Sequence, residues 1–237
     1  MTLNLSSSAP HISPAAAWAK SPSGTPLICD EQSRIVGLLL HTSSDPKLEI
    51  GIRRWYVGSV DEAFEIDQLC HFISGSATFY GDNGEVIEVT PGTATHFKEG
   101  WRGKVKVRET LDATYVKCDG GSANSTPLLR SVSSAGPLKE WGPVSKPLEG
   151  VSVTAGILLS REPDRRAESG IWTCTPGVWR CELKSDEFCH FLQGRSTYTH
   201  DQGEVIEVCA DTLAYFPKGW KGECHVHETV RKVYMIR

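Results

Sequence analysis

The chain repeats itself, and the repeat constrains its fold more than any other feature. Residues 51–118 align with residues 170–237 at a constant offset of 119 without a gap, and 25 of the 68 aligned pairs are identical. The identities cluster in blocks. Cys70-His71-Phe72-Ile73-Ser74-Gly75 faces Cys189-His190-Phe191-Leu192-Gln193-Gly194, and Gly84-Glu85-Val86-Ile87-Glu88-Val89 faces Gly203-Glu204-Val205-Ile206-Glu207-Val208. Gly100-Trp101-Arg102-Gly103 faces Gly219-Trp220-Lys221-Gly222, and upstream Gly37-Leu38-Leu39-Leu40 meets Gly156-Ile157-Leu158-Leu159. A gapless offset requires equivalent elements at equivalent positions, so both copies must fold alike. A unit of roughly a hundred residues duplicated once excludes a solenoid, whose shorter units stack several times. At 237 residues the chain accommodates two domains, each large enough to bury a core of its own.

Each unit reads as short strands punctuated by turns: an apolar run, a connection ending in Gly, then the Glu-Val-Ile-Glu-Val alternation of a half-buried strand. Asn83-Gly84 and Gln202-Gly203 supply hairpin turns, and Gly-Trp-x-Gly after Phe97 or Phe216 marks the next bend. Neither unit holds a helical period for more than a turn or two, so the expected class is all-β. The expected domains are a proline-rich arm over 1–27, a barrel over 28–118, a Gly/Ser/Asn/Thr-rich linker over 119–137 and a second barrel over 138–237.

Twenty-five basic against 29 acidic residues give a net charge of -4, with no positive reserve for nucleic-acid phosphates or anionic lipid. No apolar run approaches the roughly 20 residues of a membrane span, and the start has no basic, then apolar, leader. The eight cysteines include no CxxC pair, which suits buried thiols in a reducing compartment better than a disulfide framework. The expected setting is therefore cytoplasmic, with a small-molecule ligand and neither nucleic acid nor membrane as partner. A homodimer is also expected, because the arm has no core of its own and is free to cross to a neighbour.

Glu187 through Gly194 fits the spacing E-x6-G, and Asp211 through Gly219 fits the approach to a P-x-G turn. With these motifs in register in two copies, the chain resembles the cupin superfamily, nearest to the branch of the ureidoglycine aminohydrolase-like and ethanolamine-utilisation cupins. The resemblance implies two tandem jelly-roll (double-stranded β-helix) barrels, a bicupin. It also implies a metal held by three histidines and a glutamate, in the pattern G-x5-H-x-H-x3,4-E-x6-G followed by G-x5-P-x-G-x2-H-x3-N. Counting back four residues from Glu187 puts the first two histidine positions on Arg180 and Glu182, around Cys181, and the third falls on Gly222. The first unit has Asp61-Glu62-Ala63, Gln68 and Gly103 at the matching places. The histidine ligands are absent, so no cofactor is expected; a divalent ion would find only Glu182 and Glu187 as donors.

Residues two apart on a strand share a face. If Glu187 faces the interior, as the resemblance implies, Cys189 and Phe191 do too, and His190, with His71 in the first unit, faces away. Counting from Gly222, Cys224, Val226 and Glu228 face in while His225 and His227 face out, where Lys106 and Arg108 of the first unit suggest a solvated or interfacial face. Glu228, like Glu109, is either a buried ion pair that closes the barrel or part of a ligand pocket.

The candidate catalytic residues are Glu187 and Glu182 as general acid and base and Arg180 as a substrate clamp. Glu228, Tyr215, Trp179 and Trp220 are the candidate ligand-binding residues. Only the second unit keeps the glutamate and the Pro217–Gly219 turn, which places the functional cavity there. Two readings stay open: an enzyme acting on a small polar nitrogenous or carboxylated metabolite, as the resemblance implies, or a non-catalytic ligand-binding or scaffold bicupin that has lost the metal site.

Overall fold

A computed structural model describes residues 34–44, 47–118, 137–161 and 168–236, together with His11–Ile12, Pro14, Thr25–Pro26 and Leu128–Ser131. The Glu-Val-Ile-Glu-Val segments lie in it as half-buried strands. Ile87, Val89, Ile206 and Val208 are buried while Val86 and Val205 stay exposed, so the sequence alternation maps directly onto an inner and an outer face.

The chain opens with two short strands, β1 (His11–Ile12) and β2 (Thr25–Pro26). It continues through β3 (Ile35–Ser44), β4 (Lys47–Trp55), β5 (Gly58–Phe64), β6 (Asp67–Gly81), β7 (Val86–Val89), β8 (Thr93–Phe97) and β9 (Trp101–Cys118). Next come β10 (Leu128–Ser131), β11 (Lys139–Pro143), β12 (Pro147–Glu149), β13 (Val153–Arg161) and β14 (Glu168–Cys174). The last strands are β15 (Gly177–Glu182), β16 (Glu187–His200), β17 (Val205–Cys209), β18 (Thr212–Phe216) and β19 (Lys221–Ile236). Adding 119 to the bounds of β8 gives those of β18, and the other strands of the first repeat land on their counterparts within a residue or two.

Pairing is antiparallel throughout. One sheet runs β10-β8-β6-β9-β4-β3-β2, with β5 on β9 and β7 on β6; the other runs β1-β18-β16-β19-β14-β13-β11, with β15 on β19, β17 on β16 and β12 on β15. Two compact units result, one centred on 15–134 and the other combining 5–14 with 135–237. Within the segment read as a linker, Leu128–Ser131 is thus a strand of the first unit. Within the arm, His11–Ile12 is a strand of the second.

Long strand pairs let each sheet roll up. β6 and β9 pair along almost their whole length, but their register slips three times between Phe72 and Ala77, and β16 and β19 slip at the equivalent points between Phe191 and Ser196. Each slip adds a residue to one strand and increases its bend, so one strand serves both faces of a jelly roll. Gly75 and Gly194 sit in these bulges at φ +77° and +82°, and a Cβ there would lie 2.1 Å from the Thr110 carbonyl oxygen and 2.3 Å from that of Thr229.

Aromatic side chains fill the first interior: Phe64 stacks on Phe97 at 4.3 Å, and Trp55, Phe72, Phe79 and Trp101 pack around them. In the second barrel Cys174 stands in the core where the first has Trp55. No helix among the described residues is long and apolar enough to cross a membrane.

Candidate functional site

Six strands of the second barrel, β11, β14, β15, β16, β18 and β19, point side chains into a cavity of about 270 Å³. β14 supplies Glu168 and Trp172, β15 Trp179 and Cys181, the start of β16 Glu187, and β19 Cys224, Lys232 and Tyr234; Trp220, just before β19, closes the wall. The alternation on β19 that buries Cys224 and Val226 also carries Val230, Lys232 and Tyr234 inward.

At the polar end of this cavity the Lys232 Nζ donates to Glu187 Oε1 at 2.7 Å, both side chains being nearly buried. The ammonium also lies over the Trp172 ring at 4.6 Å and near that of Phe191 at 5.6 Å. Burial penalises this charge, but Cys189 and the Glu187 carboxylate outweigh the penalty and hold the Lys232 pKa well above that of a free lysine. Burial also pushes the Cys189 thiol upward. Cys181 and Cys224 form a thiol pair. A hydrogen bond from Cys224 lowers the pKa of Cys181, and burial raises that of Cys224. Tyr234 donates its hydroxyl to Glu168 at 2.7 Å, and burial and that bond raise its pKa.

Of the residues expected from sequence, Glu187, Trp179 and Trp220 meet in this cavity. Arg180 and Glu182 do not. They alternate with Trp179 and Cys181 on β15 and point outward, Arg180 to Asp201 at 2.6 Å and Glu182 to Lys184 at 2.8 Å. The reason is a phase error of one residue: the connection before Glu187 holds three residues after Leu183, so the inward pair is Cys181 and Leu183. Tyr215 is buried but turned away, its hydroxyl donating to Asp186 at 2.9 Å. Glu228 is exposed and 3.7 Å from Arg195, where the register of β16 and β19 slips, although Val226 and Val230 in the same phase on either side of it are buried. Glu109 is exposed at the equivalent bulge.

His190 is buried with Nε2 3.2 Å from Asp211 Oδ1, and His71 is buried too, while the exposed His225 lies against His227, ring centres 3.9 Å apart and planes tilted by 46°. Lys232, Cys181 and Trp172 were missed, while Cys224 lies inward as expected. A lysine in the inward phase of β19, in a position held by Ala113 in the first repeat, was the available signal for the first of them.

The first barrel, expected to offer less, has a cavity of its own, about 720 Å³ and open to solvent. Its buried ion pair joins Arg53 on β4 to Glu62 on β5 at 3.3 Å, and Gln68 at the head of β6 donates to Cys70 Sγ at 3.1 Å.

Neither donor set fits a cupin metal. In the second barrel the inward positions of the pattern hold Cys181, Leu183 and Glu187, and the Lys232 ammonium already sits on Glu187. A Cβ at Gly222 would lie 2.3 Å from the Thr199 carbonyl oxygen and 2.5 Å from the Trp220 ring, so no imidazole enters there without backbone movement. In the first barrel the same positions hold Glu62, Phe64, Gln68 and Gly103. Among the described residues no three His, Cys, Asp or Glu side chains converge as a metal would need.

Two tandem jelly-roll barrels with polar groups gathered inside define a bicupin. The family model of the EutQ-like cupin domain matches residues 46–115 and 161–234, over half the chain, and the chain belongs to that family. No curated protein matches it in sequence. Among solved structures it is similar to a protein of unknown function from Pseudomonas syringae pv. tomato str. DC3000 (TM-score 0.73, 14% identity, 91% of this chain and 92% of that one). It is also similar to a cupin 2 conserved barrel domain protein from Leptotrichia buccalis (0.65, 12%, 98% and 97%). A third similar structure is a variant of oxalate decarboxylase from Bacillus subtilis (0.51, 12%, 81% and 69%). At these identities the likeness is one of fold.

Proposed function

We propose that the second barrel binds a small metabolite that joins an apolar body to a carboxylate or amide oxygen, and that it does so without a cupin metal. The buried Lys232–Glu187 pair, set at one end of a cavity walled by Trp172, Trp179 and Trp220, carries this reading. An ammonium has three N–H donors, Glu187 takes one, and the low-dielectric walls strengthen whatever acceptor a ligand brings. With its pKa raised, Lys232 stays protonated at neutral pH and acts as a fixed positive donor, with the Glu187 carboxyl beside it. The resemblance to ureidoglycine aminohydrolase-like cupins supports a nitrogenous, carboxylated ligand such as a ureide. Arg180 and Glu182, outside the cavity, have no part in it.

The test is a thermal-shift and calorimetric screen of ureides, amino acids and hydroxy acids on protein purified without chelator, repeated on Lys232→Met and Glu187→Gln. Ligands that stabilise the wild type should lose at least tenfold in affinity in both variants. Equal binding by Lys232→Met would remove the cavity as the site, and a stoichiometric transition metal in the purified protein would overturn the metal-free part.

A further inference from the structure

We propose that the first barrel holds a second, independent ligand site, for a small monocarboxylate seated on Arg53. The Arg53 side chain is 8% exposed, yet among the described residues neither Nε nor Nη1 has an acceptor within hydrogen-bond distance. Its one ionic contact is Nη2 to Glu62 Oε1, long at 3.3 Å. Glu62 is engaged elsewhere: its Oε2 accepts from the Trp55 indole at 2.9 Å and its Oε1 from the Ala63 amide at 3.2 Å. A buried guanidinium with two idle nitrogens is expensive, and the acceptor that would satisfy it has to come from the cavity that Arg53 lines. The Trp55 and Phe64 rings, 5.2 and 5.6 Å from the guanidinium carbon, form a dry floor on which a carboxylate–guanidinium contact gains strength.

The surrounding charges set the class of ligand. Glu49 is paired with Lys117 at 3.1 Å and Asp61 with Lys104 at 2.6 Å, so the rim charges cancel locally. Five acidic and four basic residues line the whole cavity, so no positive excess draws in a dianion such as phosphate and the attraction for an anion is local to Arg53. Gln68 and Glu62 beside Arg53 can in addition receive or donate a hydrogen bond to a hydroxyl, which favours a 2-hydroxy acid over a bare alkanoate.

The experiment follows the arginine Nε–Hε resonances of the full-length protein by NMR, Arg53 being assigned by its loss in Arg53→Lys, during titration with glycolate, acetate and phosphate, with sodium chloride held at matched ionic strength. Glycolate should shift the Arg53 resonance along a saturable curve, with acetate weaker and phosphate weaker still. Arg53→Met, followed by calorimetry, should abolish glycolate binding. Arg53→Lys, which keeps the charge and tests the fork geometry without leaving Glu62 unpaired, should weaken it at least tenfold. Lys232→Met should leave it unchanged, which separates this site from the second barrel. A shift that stays linear to high concentration, as water-satisfied Arg53 would give, overturns the proposal. So does glycolate binding that survives in both Arg53 variants.

Discussion

Each barrel points a cation paired with a carboxylate into its cavity, but not at matching positions. In the first, Arg53 and Glu62 form the pair; the second repeat has Trp172 and Cys181 at those places and builds its pair from Lys232 and Glu187, where the first has Ala113 and Gln68. Comparing aligned positions therefore hides the feature the barrels share, since one interior needs one neutralising partner wherever the charge enters. Conservation of a third carboxylate is plainer. Asp67, the first residue of β6, and Asp186, just before β16, cap equivalent turns, accepting from the Glu99 and Lys218 amides at 2.8 Å each. Around Asp67, burial works against the charge, but His96, the Glu99 amide and Lys98 overcome it and hold the pKa down at about 2. A folded-state pKa below the unfolded one gives stability that is present above about pH 4 and lost as the pH falls through 2, on the order of 2 kcal/mol in all. Asp67→Asn keeps the cap but not the charge. Urea unfolding of that variant should change less than the wild type between pH 4 and pH 2; parallel acid limbs would show that Asp67 is not the group responsible.

At the scale of the element, strand alternation was legible and its interruptions were not. The burial of Cys189 and Phe191, the outward His225 and the inward Cys224 follow from a period of two. Glu228 fails locally, where the β16–β19 register slips, with the inward phase resuming at Val230, and Arg180 and Glu182 fail because a three-residue connection, where four were counted, shifts β15 by one. A one-residue slip exchanges the faces of a strand, so a small error in loop length moves every candidate across the barrel wall. The repeated glycines at 75 and 194 were visible as identities, but their backbone conformation was not. Gly194→Ala must accept both a positive φ and a Cβ against the Thr229 carbonyl, whereas Gly203→Ala, at φ +88° in a hairpin with nothing within 4 Å, bears the backbone cost alone. Chemical denaturation should show Gly203→Ala losing about 1 kcal/mol and Gly194→Ala clearly more. Equal losses would mean that the bulge relaxes freely and does not fix the bend of the strand.

For the molecule as a whole, the duplication gave away the two barrels, because an offset without gaps leaves no room for a different fold in either half. The strands that finish each sheet left no such trace: β1 and β10 are two and four residues long, too short for any period to show. They are nonetheless equivalents, since the offset of 119 carries His11–Ile12 onto Arg130 and Ser131 of β10. Each precedes in sequence the barrel it does not join: β1 pairs with β18, pairing His11 with Ala214, and β10 pairs with β8, pairing Arg130 with Ala94. An uncovered edge strand offers its backbone donors and acceptors to any passing chain, and all five residues of both β8 and β18 are buried. Removing residues 1–14 should therefore act at a distance in sequence, on the second barrel and not on the first. Hydrogen exchange should find the amides of 212–216 deprotected in the truncated protein and those of 93–97 unchanged. The uncovered β18 should also make the protein self-associate at lower concentration, read by sedimentation. Loss of protection in β8 as well, or in neither strand, would show that β1 does not hold the edge of the second barrel.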